Sequence, residues 1–182
     1  MRRNPLEPGV LSAYAGISAY RGDFDTAFAS VRKAIELNPS YAQAHYNLSW
    51  IHMSYGDQLD QAIGAIGAIG AIEVALRLSP QHVARPMMLT HLAACHLMAR
   101  QLAEAYRIAQ MAVQEAPQYP IGFRVLASVC GALGLMEEGR AALAKFLSMS
   151  PNFSIESARS GFRRPEDVER SLAGLRKLGW SE

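Results

Sequence analysis

The chain has 182 residues, half of them apolar and 19% charged, with 18 basic and 16 acidic side chains and a net charge of +2. That composition supplies a core and excludes wholesale disorder, and the near-balanced charge argues against a nucleic-acid backbone as partner. Two cysteines exclude a disulfide scaffold or a Cys-rich zinc module, and no apolar run reaches the 18 residues a membrane helix needs.

Met1-Arg2-Arg3 stands before an apolar stretch, Gly9 to Ala15, but Pro5, Glu7 and Pro8 interrupt the arrangement expected of a signal peptide. A cytoplasmic protein with Cys95 and Cys130 reduced is therefore expected. Asn4-Pro5 sits where the closing proline of a preceding repeat would fall, so residues 1–7 read as the tail of a truncated unit.

Four prolines organise the rest. Pro39, Pro80, Pro117 and Pro151 each close a similar phrase, as in Ala34-Ile35-Glu36-Leu37-Asn38-Pro39 and Ala75-Leu76-Arg77-Leu78-Ser79-Pro80. The residue before proline avoids the helical region, so each phrase ends a helix. Small residues recur twelve positions earlier at Ala27, Ala105 and Gly139, and Gly22 and Gly134 lie seventeen positions earlier, with Gly56 in the equivalent turn. Glycine there suits a helix-to-helix turn needing positive φ. The unit is helix–turn–helix, about 34 residues long.

This pattern resembles the tetratricopeptide repeat. Residues 8–41 carry its small and large positions at Tyr14, Ala15, Gly22, Phe24, Ala27, Ala34 and Pro39. Residues 86–119 keep Leu92, Ala93, Ala105, Ala112 and Pro117 but place Arg100 at the turn glycine. Residues 120–153 keep Leu126, Ala127, Gly134, Gly139 and Pro151 but place Phe146 where a small alanine is usual; Gly139 is expected to make room for it. The resemblance implies an all-α, right-handed solenoid of four repeats, 8–41, 42–82, 86–119 and 120–153, followed by a cap over 154–182.

The second repeat is anomalous. Gly-Ala-Ile recurs in tandem through residues 62–72, and deleting two triplets restores an ordinary second helix. Six helical residues add about 9 Å and roughly 600° of rotation, about 120° short of two full turns. Counted from Pro80, the core slots fall on Ala68, Ile69, Ile72 and Ala75; counted from the turn, they fall on Ala62, Ile63 and Ile66. The unbroken run from Glu73 to Pro80 predicts one elongated helix in the Pro80 register, with a looped-out insert as the alternative. Ile63 and Ile66 are then turned to solvent and become candidates for self-association.

In the cap, residues 154–160 suit a short helix, and Pro165 opens another with Val168, Leu172, Leu175 and Leu178 on one stripe. Phe162-Arg163-Arg164-Pro165-Glu166-Asp167-Val168-Glu169-Arg170 and Gly174-Leu175-Arg176-Lys177-Leu178-Gly179 are similar to the C-terminus of bacterial class III adenylate/guanylate cyclases that carry such repeats. That resemblance implies a bacterial regulatory parent chain and, as an alternative role, a regulatory or dimerisation module.

No chemistry emerges from spacing. The glycines at 64, 67 and 70 match neither a dinucleotide fingerprint nor a P-loop. His45, His52, His82, His91 and His96 form no metal-ligand pair, and the cysteines fall on core positions. No catalytic site, metal or cofactor is expected, and neither nucleic acid nor a membrane. The resemblance instead implies a concave face lined by the first helices, here Tyr20, Tyr46, Asn47, Trp50, Met53, Thr90, His91, Met98, Arg124 and Ser128. That aromatic and Met-rich surface fits an apolar helix or extended peptide as partner.

Overall fold

The computed structural model describes residues 7–55, 61–159 and 165–181. The expectations at Asn4 and Pro5, at the turn around Gly56 and at Phe162 to Arg164 lie outside these residues, as does the side chain of Ile63. The architecture is all-α, in the manner of an α-solenoid, with no strand among the described residues. Its helices are α1 (Pro8–Tyr20), α2 (Phe24–Leu37), α3 (Ala42–Tyr55), α4 (Gln61–Leu78), α5 (Arg85–Met98), α6 (Leu102–Glu115), α7 (Pro120–Leu133), α8 (Met136–Met149), α9 (Ile155–Arg159) and α10 (Pro165–Lys177). None is long and apolar enough to cross a membrane.

The chain divides into two compact units, Met1–His82 and Val83–Glu182. In the first, α1 pairs with α2 and α3 with α4, while α3 also packs on both α1 and α2. In the second, α5 pairs with α6 and α7 with α8, α7 packs on α5 and α6, and α10 lies against α7.

The punctuation is physical. Asn38, Ala116 and Ser150, each before a proline, have extended φ of −146°, −138° and −139° and end α2, α6 and α8. Proline opens α1, α5 and α7, where its missing N–H costs nothing. The side chain of Asp23 caps α2 by accepting from the Thr26 N–H at 3.2 Å.

The turns within the first, third and fourth repeats share one hydrogen bond, from N–H to the carbonyl five residues back: Asp23 to Ser18, Gln101 to His96 and Leu135 to Cys130, each at 2.9 Å. This Schellman closure places one residue in the left-handed region. Two of those residues are Gly22 and Gly134, both at φ 80°; the third is Arg100, at φ 59°.

Helices approach closely where the side chains are small. Ala15, Ala27 and Ala34 are fully buried between α1 and α2, with Phe24, Val31 and Ile51 filling the same core. Ala93, Ala105 and Ala112 do the same in the third repeat. In the second repeat Ser49 of α3 donates its hydroxyl to the Ala68 carbonyl of α4 at 2.8 Å, both groups being buried.

α4 is a single helix of 18 residues, against 14 in α2, α6 and α8. Ala68, Ile72 and Ala75 are fully buried, so the register counted from Pro80 holds. Ile69 is half-buried and Ile66 is 58% exposed. The insert is absorbed as extra helix, because alanine and isoleucine sustain helix despite the glycines.

The cap follows the predicted stripe, with Val168, Leu172, Leu175 and Leu178 buried and Trp180 beside them. Phe146 is buried and meets Phe153 edge-on at 4.9 Å, and Phe153 in turn touches Trp180 at 5.4 Å. The repeat pattern leads Gly139 to be expected to make room for Phe146, but the atoms nearest to a Cβ there belong to Leu178 and Cys130. A Cβ at Gly139 would meet Leu178 Cδ2 at 2.6 Å, so its space is filled by the cap.

Candidate functional site

The ten residues assigned to a concave face fall in both units and are taken unit by unit. In the first unit, Tyr20 at the end of α1 is 91% exposed. On α3, Trp50 is 45% exposed, and Tyr46 and Met53, one turn to either side, are half-buried. Trp50 is a large ring left nearly half open on a helix that otherwise buries Ala44, Ser49 and Ile51, and it stands between two further large side chains, Tyr46 and Met53.

Asn47 has a structural task instead. Its Nδ2 donates to the Ser12 carbonyl and lies 2.9 Å from both that oxygen and Ser12 Oγ, while its Oδ1 accepts from Gln43 Nε2 at 3.1 Å. The contacts with Ser12 tie α3 to α1, and the bond from Gln43 holds the Asn47 amide within α3, the helix that presents Trp50. Behind it, His52 packs edge-on against Phe28 at 5.2 Å, and burial together with the nearby Arg32 cation holds its imidazole below the ordinary value.

In the second unit the assignment needs correction. Thr90, Met98 and Ser128 are buried. Thr90 donates to the Pro86 carbonyl one turn back at 2.9 Å, and Ser128 donates to the Ser171 carbonyl of α10 at 3.1 Å. The physical reason at Ser128 is that α10 occupies the α7 face on which an open groove was expected. His91 is half-buried. Arg124 is also half-buried, its guanidinium 5.9 Å from the Phe153 ring, and burial pulls it below the usual guanidinium range.

What the sequence reading missed is a basic cleft of about 250 Å³ in this unit. Leu97, Leu102 and Ala132 form part of its lining, and Arg100, Arg170 and Lys177 are exposed around it. Arg170 and Lys177 are two turns apart on one side of α10, and Arg100 comes from the α5–α6 turn. The visible signal was an arginine at a position held by glycine in the sibling repeats.

No group of three or more His, Cys, Asp or Glu able to hold a metal exists among the described residues. Cys95 and Cys130 are buried thiols, and burial, with Glu138 nearby, pushes Cys130 up to about 11. A thiol held that high is a poor nucleophile.

Helix pairs closed by a glycine turn, with alanines at the closest contacts and proline after each second helix, define the tetratricopeptide-repeat fold. Solved structures share it. The chain is similar to PilW, a type IV pilus biogenesis factor, with a TM-score of 0.73, 17% identity and coverage of 97% of this chain and 75% of that one. It is similar to TTC0263, a thermophilic TPR protein of Thermus thermophilus, at 0.71, 17%, 96% and 84%. It is also similar to YrrB, described as a TPR protein with an unusual peptide-binding site, at 0.65, 18%, 96% and 86%. No protein-family model and no curated protein matches the sequence significantly.

Proposed function

We propose that the chain is a non-catalytic protein-interaction module that binds an apolar helix or extended peptide over the Tyr46–Trp50–Met53 side of α3. Trp50 is the observation that carries this reading: an indole 45% exposed on a helix that Asn47, one turn away, ties to α1. Aromatic and methionine side chains concentrate at interface cores, where a rigid ring supplies area at little entropic cost. The peptide-binding site ascribed to YrrB supports the reading by fold analogy alone. Peptides selected from a displayed random library test it, with binding mapped by amide chemical shifts. The expected shifts cluster on α1 and α3 around Tyr46, Trp50 and Met53. Failure to enrich any peptide, or shifts that avoid α3, would overturn the reading.

A second reading is favoured by Ile66. It is a large apolar side chain left exposed by the lengthened helix, and a second copy is an available cover for it. Under this reading the chain is a dimerisation module of a bacterial regulator, as the resemblance of its C-terminal segment implies. Deleting residues 64–69 should then lower the mass measured by light scattering. Equal masses for the two versions would dismiss it.

A further inference from the structure

We propose that the cleft between the α5–α6 turn, α7 and α10 binds an acidic peptide segment, with Arg100, Arg170 and Lys177 as its cation set. The first observation is conformational. The Schellman turns within the first, third and fourth repeats share one hydrogen-bond pattern, and Gly22 and Gly134 take the left-handed position that an L-residue with a side chain adopts at a cost. Only the third repeat, among these, keeps a charged side chain there, at φ 59°. Strain held at one turn and absent from its siblings points to a use for the side chain.

The second observation is independent of the first. α10 turns Arg170 and Lys177 toward the cleft that Arg100 lines, and no acidic residue is part of that lining among the described residues. Two nearby acids are engaged elsewhere: Glu104 pairs with Arg107, and Glu169 with Arg176. No ion pair neutralises Arg100, Arg170 or Lys177 among the described residues. Three cations converge on a cleft whose lining includes Leu97, Leu102 and Ala132. The chemistry selects carboxylates carried beside apolar side chains. Arginine offers paired donors to each carboxylate, and the cleft partly shields them from water.

The inference shares with the proposed function the idea of a partner-binding module, but it rests on a different surface. Trp50→Ala should leave it intact, so the two can fail separately.

The probe is a fluorescein-labelled peptide of alternating Leu and Glu-Glu, compared by anisotropy with the same peptide bearing Gln for Glu. The Glu peptide should bind at least about tenfold more tightly, and moderate salt should remove the difference. Arg100→Gly is the decisive variant, because glycine suits this φ. Its Tm should be unchanged or higher while affinity for the Glu peptide falls about tenfold. Arg170→Gln with Lys177→Gln should give a similar loss. Equal binding of the Glu and Gln peptides, no binding of either, or full affinity in Arg100→Gly would overturn the proposal.

Discussion

Gly131 of α7 and Gly174 of α10 face each other so closely that neither position has room for a methyl group. A Cβ on Gly131 would collide with the Gly174 carbonyl, and one on Gly174 with the Ser128 carbonyl. Those obstacles are backbone atoms, which cannot swing aside. Gly131→Ala or Gly174→Ala should therefore push α10 off α7 and cost about 2–3 kcal/mol. Urea unfolding measures it; a change below about 0.5 kcal/mol would mean that the cap does not seat this way.

Ile17 and Ile51 hold the same register position in α1 and α3, yet Ile17 is 51% exposed and Ile51 only 1%. Val10 and Tyr14 share the exposure of Ile17, whereas Ala44, at the register of Val10, is fully buried. Ile51→Ala should cost about 2–4 kcal/mol, the usual range for emptying a buried site. Ile17→Ala should cost under about 1 kcal/mol. Matching losses in the two variants would show that the face of α1 is covered.

Two glycines of the insert should respond differently to alanine. Gly70 has nothing within 4 Å of an added Cβ, so Gly70→Ala should stabilise by about 0.5–1 kcal/mol through helix propensity alone. A Cβ at Gly67 would lie 3.3 Å from the His52 ring, so Gly67→Ala must shift that ring and gain less. Thermal melts of both variants make the comparison; equal gains would contradict the packing of α3 on α4.

His52 makes stability depend on pH. Its folded pKa lies below the unfolded value of 6.5, with burial the larger cause and Arg32 the smaller. Above 6.5 both states are neutral there, and the residue adds no slope. Below 6.5 the unfolded chain takes up the proton first, so stability falls with decreasing pH until the folded pKa is passed. His52→Gln should flatten that part of the Tm–pH profile just below 6.5. An unchanged slope would place its origin elsewhere.

The repeats were legible because their signals are local. The non-helical backbone before Pro39, Pro117 and Pro151 and the left-handed turns at Gly22 and Gly134 require only neighbours in the chain. The register of α4 was legible for the same reason, since Ala68, Ile72 and Ala75 count back from Pro80 without interruption. The surface was less so. The burial of Ser128 depends on where α10 lands, and that follows from the long-range meeting of Gly131 with Gly174. The use of Gly139 depends on Leu178 in the same way. A cleft that joins Arg100 to Arg170 and Lys177 spans about seventy residues of sequence, beyond the reach of any periodicity.

The most direct test of partner binding through α3 is the affinity of a library-selected peptide for the wild-type chain and for Trp50→Ala, alongside the stability of both. Trp50 is 45% exposed and lies outside the buried core of its unit, so Trp50→Ala should keep a cooperative urea transition while affinity falls by at least about tenfold. Equal affinity in two equally stable proteins would contradict the account.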